Sequence, residues 1–298
     1  MALSGEQFSL SAGDFAATVV EVGAGLRQLR HRGEDVTVPY GTDELPPKGD
    51  GAVLVPWPNR LRGGRYTFGG SSYQLALTDP ATGNAIHGLG RWARWSAVRH
   101  EADAVTLGID LVPQTGWLFE IHVEITYALD AARGLHVRLA ATNTGSMPAP
   151  FGAGCHPYVA LHGHRLDDVT VRVPAEQRLV LDDAQIPIGT QPVEGTRFDL
   201  RTGVRLGSER FDDGFAEVSH PGGRGEVDVA TPSGGARIWF DEAFHYLQVF
   251  TFDELRPGVG GVAVEPMTCP ADAFNSGTGL LVLQPSESWS GQWGIELI

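Results

Sequence analysis

Cysteine is scarce: Cys155 and Cys269 are the only two in 298 residues. That excludes a disulfide framework and a thiolate metal cage. Positive charge is scarce too, with 22 Lys and Arg against 36 Asp and Glu and a formal net charge of -14. No basic run exceeds scattered arginines. An acidic surface repels phosphate backbones and anionic headgroups, so neither nucleic acid nor a membrane is an expected partner. No apolar run approaches the roughly 20 residues that a spanning helix needs. The opening MALSGEQFSLSAGDF lacks a basic stretch followed by an apolar one, so a cytoplasmic protein is expected. No segment holds a 3.6-residue apolar stripe across three turns. A P-loop, a nucleophile elbow and a dinucleotide fingerprint are all missing; GVGGV (258–262) leads into a strand pattern rather than a helix.

What is present is turn chemistry and alternation. Gly and Pro number 39 and 19, and hydrophobic residues make up 42%. This density of turn formers suits many short strands around a sizeable core. In FEIHVEITYAL (119–129), Phe119, Ile121, Val123, Ile125, Tyr127 and Leu129 share one face, and Glu120, His122, Glu124 and Thr126 the other. AVTLGIDLV (104–112), GLHVRLAATN (134–143) and DVTVRV (168–173) repeat that period of two, with turn signals at DAARG (130–134) and NTGSMPAP (143–150). The expectation is an all-β protein, antiparallel, with large stacked sheets. No linker and no short repeat divides it, so one domain over 1–298 is expected.

Four stretches fit neither strand nor turn. In VPWPNRLRGGRYTF (55–68), two prolines bracket Trp57, and Asn59 and Arg60 follow. Arg60 can present a fork of donors to hydroxyl oxygens, or it can be a surface residue of a hairpin. In NAIHGLGRWARW (84–95), His87 precedes a glycine, with Trp92 and Trp95 close behind. Aromatic faces suit the C–H faces of sugars and an imidazole suits their hydroxyls; a loop histidine beside core tryptophans is the plainer reading. In GAGCHPYV (152–159), Gly152 and Gly154 permit close backbone approach, and Pro157 drives His156 toward an extended conformation. A rigid, desolvated imidazole suits acid–base work; a core histidine with satisfied hydrogen bonds is the alternative. In VAVEPMTCPADAFN (262–275), Glu265 ends an apolar run and precedes Pro266. A carboxylate there is costly unless paired with an arginine or functional, and burial would raise its pKa toward that of a base that takes and returns a proton. HGH (162–164) offers two histidines to a metal, but no third ligand is indicated.

Together and in order, NRLRGGRYTF, NAIHGLGRW, GAGCHPYV and VEPMTCPADAFN resemble the aldose 1-epimerase (mutarotase) family, whose members interconvert the α and β anomers of free sugars. LLVLQPSESW (280–289) resembles the closing strand of that family, with Ser286 where glycine is usual. The resemblance implies a large antiparallel β-sandwich, the galactose mutarotase-like supersandwich. It implies Glu265 as general base, His156 as general acid, and His87 as a second histidine near the ring oxygen or C1 hydroxyl. Arg60, with Asn59 beside it, takes the place of the hydroxyl-binding arginine. Asp212 in FDDGF resembles a sugar-binding aspartate, with Asp213 one residue off, and Gln248 in YLQVFT a glutamine lining the site. Trp57 or Trp92 would stack on the ring. The implied substrate is a monosaccharide such as glucose or galactose, with no cofactor and no metal, on a monomer or homodimer. FDELRPG (252–258) departs from the family's Gly-Asn turn and following loop, which leaves substrate preference open.

Three rivals accompany this reading. A non-catalytic carbohydrate-binding protein on the same fold would not need both Glu265 and His156. An epimerase for hexose 6-phosphates or sulfoquinovose would add a cationic pocket, for which Arg62, Arg65, Arg91 and Arg94 are candidates. A glycoside hydrolase or polysaccharide lyase shares only broad architecture, and hydrolysis would want two carboxylates flanking the bond.

Overall fold

The computed structural model describes residues 2–256 and 258–298, with the Arg256 side chain outside the description. Alternation becomes strand where it was expected. Ile121–Asp130, Ala104–Leu111 and Gly134–Asn143 are long neighbouring strands, and Thr170–Arg172 is a shorter one. Phe119 lies just outside its strand, although its ring is still buried. Among the described residues the one α-helix is Ala273–Ser276. Among the described residues no helix is long and apolar enough to cross a membrane.

Two sheets dominate. One has nine strands and runs from Ser96–His100 through Gly134–Asn143 and Ser288–Leu297 to Val204–Arg205. The other has eight and holds, side by side, Ala175–Leu181, Asp212–Val218, Tyr246–Arg256, Val259–Met267 and Gly154–Cys155. A four-stranded sheet from Gln7–Ala12 to Glu34–Asp35 precedes both. The ladders between these strands are antiparallel. One hydrophobic core takes Val123, Ile125, Val137, Leu139, Ile238, Phe240 and Trp293 from the nine-stranded sheet and Phe215, Leu247, Val249, Val262 and Val264 from the eight-stranded one. That is the stacked-sheet arrangement that inward alternation on both sheets requires.

The opposite face of the eight-stranded sheet carries the site. Leu247 and Val249 point to the core, so Gln248 and Phe250 point away from it. Val262 and Val264 point to the core, so Ala263 and Glu265 point away. Gln248 and Glu265 are directly opposed across their ladder, and Ala263 is opposed to Tyr158. Segments from the first hundred residues cover this second face, so its polar groups are buried as well.

FDELRPG stands where the resemblance sets a loop, with its role left open. Instead Tyr246–Arg256 continues as strand, with a register irregularity between Phe252 and Arg256. The Phe252 ring is buried against Tyr158. None of 252–255 or 258 lines the site cavity. Position 257 lies outside the described residues.

Candidate active site

A cavity of about 350 Å³ opens on this second face. It is large enough to enclose a small polar ligand. Its floor comes from the sheet: Glu265, Gln248, Asp212 and Phe250, with His156 and Tyr158 beside them. Its walls come from the covering segments: Pro46, Lys48 and Gly49; Asn59 and Arg60; Thr78 and Asp79; Ile86, His87, Arg91 and Trp92.

Three titratable groups meet at the bottom. His156 Nε2 lies 3.3 Å from Glu265 Oε1. The His87 ring stands edge-on to His156, with centroids 5.3 Å apart. All three side chains are buried, Glu265 with only 2% of its surface exposed. Burial pushes the Glu265 carboxyl well above the usual carboxylate range, and the Asp212 charge pushes the same way, while Arg60 opposes both. Burial, with Arg91, pushes the His156 imidazole below its ordinary value. His87 is driven down by burial, then by His156, Arg91 and Arg60. The site therefore favours neutral histidines and a protonated carboxyl, which leaves one mobile proton on the Glu265–His156 pair.

His87 has a defined tautomer. Its Nδ1 accepts the Asn59 main-chain N–H at 3.2 Å, so in the neutral ring Nε2 carries the proton. His87 thus presents a donor to the cavity. One ligand atom each from His87, His156 and Glu265 lie within 4.8 Å of one another, a spacing open to a metal. The His87 tautomer opposes that use, because its cavity-facing nitrogen is protonated rather than free to coordinate. His162 and His164 join no such cluster among the described residues, and His164 Nε2 faces the Ser233 hydroxyl at 2.8 Å.

Around the three runs a chain of hydrogen bonds. Gln248 Nε2 donates to Asp212 Oδ1 at 2.7 Å, and Asn59 Nδ2 donates to Gln248 Oε1 at 3.4 Å. The Arg60 guanidinium is anchored through Nε on Asp79 Oδ2 at 2.9 Å. Burial alone would raise the Asp79 carboxyl, but the Thr82 hydroxyl and Arg60 hold it below its usual value. Backbone shape completes the site. Gly49 has φ +84°, and a Cβ there would lie 3.3 Å from His156 Cδ2, so a larger residue would crowd the imidazole. At Gly152 a Cβ would lie 2.5 Å from Cys269 Sγ, which a side chain cannot meet without a shift.

A profile of the aldose 1-epimerase family matches residues 6–296. The chain belongs to the aldose 1-epimerase family. That makes it an enzyme of a carbohydrate isomerase family. It is 34% identical to the uncharacterized protein YihR of Escherichia coli over 284 residues, which are 95% of this chain and 91% of the relative. It is 27% identical to galactose mutarotase of Rattus norvegicus over 269 residues, covering 80% of this chain and 76% of the relative. In structure it superposes on the GalM/aldose epimerase homologue from C. elegans with a TM-score of 0.87, at 18% identity, covering 98% of both chains. The fold is therefore the one the resemblance implied, and the all-β alternation agrees with it.

Seven of the residues singled out from sequence converge on this cavity: Glu265, His156, His87, Arg60, Asp212, Gln248 and Asn59. Trp57 does not. Its ring is 4% exposed, packs edge-on against Phe274 and is absent from the cavity wall. The flanking prolines turn it into the core instead of offering it to a ring. Trp92 does line the cavity and is 47% exposed. Asp213 faces Arg178 and Arg197 at 3.8 and 3.6 Å, which leaves Asp212 as the cavity aspartate. Of the four candidate cationic residues only Arg91 lines the cavity. Arg62 bonds Asp182, Arg65 bonds Gln74 and Arg94 bonds Glu21. Asp79, Lys48 and Tyr158 line the cavity without having been singled out. Tyr158 sits inside GAGCHPYV, and its place two residues after His156 was the available signal.

Proposed function

We propose that the protein is an aldose 1-epimerase that interconverts the α and β anomers of a free aldose. The observation that carries this reading is the buried 3.3 Å contact between His156 Nε2 and Glu265 Oε1 on the floor of a polar cavity. In the reactive form the one proton shared by the pair sits on His156 and Glu265 is ionised, so Glu265 takes the proton of the C1 hydroxyl. The C1–O5 bond breaks, its electron pair goes to the ring oxygen, and that oxygen takes the proton of His156. A C1 carbonyl forms. Rotation about C1–C2 presents its other face, and the same steps in reverse close the ring, with His156 as base and Glu265 as acid. Protons and electrons balance within the pair and the sugar, so the cycle calls for no redox partner. A matched acid and base each contribute about 10²–10⁴-fold.

The remaining groups hold the sugar. His87 Nε2–H donates to an oxygen at the reacting end. Arg60 and the Asp212–Gln248 pair bind hydroxyls, with Asn59 supporting Gln248 and the His87 tautomer. Of the two tryptophans offered for stacking, Trp92 takes that role. A non-catalytic sugar-binding protein would gain nothing from burying an acid against a base, since an isolated buried carboxyl costs stability.

One observation favours a second reading, in which the aldose carries an anionic substituent such as a phosphate or sulfonate. Arg91 and Lys48 line the cavity, and neither has a carboxylate within 4.0 Å among the described residues. Arg91 rests over the Trp92 ring at 5.1 Å, and burial pushes its pKa down despite the nearby Asp79. A desolvated cation gains from an anion.

Anomer exchange followed by NMR on glucose, galactose, glucose 6-phosphate and sulfoquinovose tests both readings. Accelerated exchange of a neutral aldose, lost in Glu265→Gln, supports the first. Exchange confined to the anionic sugars supports the second. Binding with no exchange of any of them overturns the enzyme reading.

A further inference from the structure

We infer that Tyr158 is the positioning residue of the site: its ring face sets the plane of the His156 imidazole, and its hydroxyl holds the Pro46–Gly49 wall. This rests on the reading that His156 moves a proton. A working imidazole is usually oriented by a hydrogen bond to its second nitrogen. His156 Nδ1 is buried and finds no partner outside the residue's own main chain. The main chain itself is fixed, since the His156 N–H donates to the Ala52 carbonyl and the Gly51 N–H donates to the His156 carbonyl. That leaves the ring free to turn about its last torsion unless its faces are held. A turn would break the contact to Glu265.

Tyr158 supplies the face. Its ring is stacked on His156, with centroids 5.0 Å apart and planes within 21°. Tyr158 is itself locked. It is fully buried and paired with Ala263 in the sheet. Phe252 meets its ring edge-on at 5.1 Å. Its hydroxyl donates to the Lys48 carbonyl at 3.2 Å. That last bond ties the floor to the covering segment, where a Cβ on Gly49 would lie 3.3 Å from His156 Cδ2. One side chain thus fixes both the acid and a wall of the cavity.

Two substitutions separate the two functions of the side chain. Tyr158→Phe keeps the face and loses the tether. It is expected to hold kcat within about twofold while KM rises about threefold as the wall loosens. Tyr158→Met keeps much of the volume and loses both. It is expected to raise KM to the same extent and to cut kcat about tenfold further, the loss expected from a freed ring plane. Packing alone would lower the folded fraction, which reduces apparent kcat and leaves KM unchanged, so kcat is read per folded molecule. Equal kcat in the two variants overturns the inference. A third measurement needs no variant and no sugar: Overhauser contacts between the Tyr158 ring and the His156 ring protons in the parent. Their presence is expected, and their absence overturns the inference even if Tyr158→Met fails to fold. That measurement also stays decisive if the parent exchanges no sugar, so the inference and the proposed activity fail separately.

Discussion

The two faces of the eight-stranded sheet follow one alternation and serve opposite ends. On one face Leu247, Val249, Val262 and Val264 join the core shared with the nine-stranded sheet. On the other, one residue along each strand, Gln248 and Glu265 face a cavity closed over by early segments of the chain. Both faces are buried. The first gains from burial, because apolar area leaves water. The second loses by it, because a carboxyl and two imidazoles are desolvated with few partners. Stability and activity are thus assigned to the two sides of the same strands, and substitutions on each side should separate them.

The largest expected effect is on the polar face. Glu265→Gln and His156→Asn should each cut turnover by about 10²–10⁴-fold, read by anomer exchange, with the fold intact by circular dichroism. Glu265→Gln should also be more stable than the parent at alkaline pH. A raised carboxyl pKa contributes stability below the ordinary carboxylate range, and that contribution is lost as pH rises toward the folded-state value. Glutamine has no proton to lose, so the gain should widen with pH. A variant that loses turnover and stability together would break the comparison.

The core face should behave in reverse. Val264, one residue before Glu265, is fully buried in the shared core. Val264→Ala should cost about 2 kcal/mol of unfolding free energy in urea. Turnover per folded molecule should stay within about twofold. A large loss of turnover would mean that the faces are coupled through the strand.

Acid should act on the polar face alone. His87 and His156 have folded-state pKa values below the ordinary one, chiefly from burial. A lowered histidine contributes stability above its unfolded value of about 6.5 and loses it as pH falls below that. Each can contribute a slope of up to about 1.4 kcal/mol per pH unit in that window. His156→Asn should flatten the fall in stability between about pH 7 and about pH 5, whereas Val264→Ala should leave its slope unchanged. Parallel slopes for parent and His156→Asn would overturn the assignment.

The alternation that makes these faces was legible in the chain. IHVEITYAL reads as strand at sight, and Gly134–Asn143 is a strand over the whole expected span. The site's chemistry was legible where a reactive residue sat among glycine, proline or apolar neighbours, as at His156 and Glu265. Family resemblance and local pattern misled elsewhere. The resemblance set 252–258 against a loop of the family, but Phe252 pairs with Gly261 and the strand continues to Arg256. Trp57 was one of two candidate platforms, yet it packs inward against Phe274. Asp79 carries no local mark at all. Its meaning comes from Arg60, 19 residues earlier, which only folding brings to it. Lys48 and Tyr158 meet in the same way, across 110 residues.

The smallest expected effect lies away from both faces and tests whether the sequence departs from its family at a cost. Ser286 stands where glycine is usual, and it has φ +66°. An L side chain in that region crowds its own carbonyl. The turn leaves it no other choice. The Ser286 N–H donates to the Asn143 carbonyl at 2.9 Å, and Glu287 and Gln284 bond each other across the turn. Ser286 is exposed and lines none of the cavity, so its side chain offsets nothing through packing. Ser286→Gly removes the strain and adds freedom to the unfolded chain, two effects of opposite sign. The strain should win by about 0.5–1 kcal/mol in urea unfolding, with turnover unchanged. A loss of stability would mean that the unfolded-state term dominates here, and that the serine costs the fold nothing.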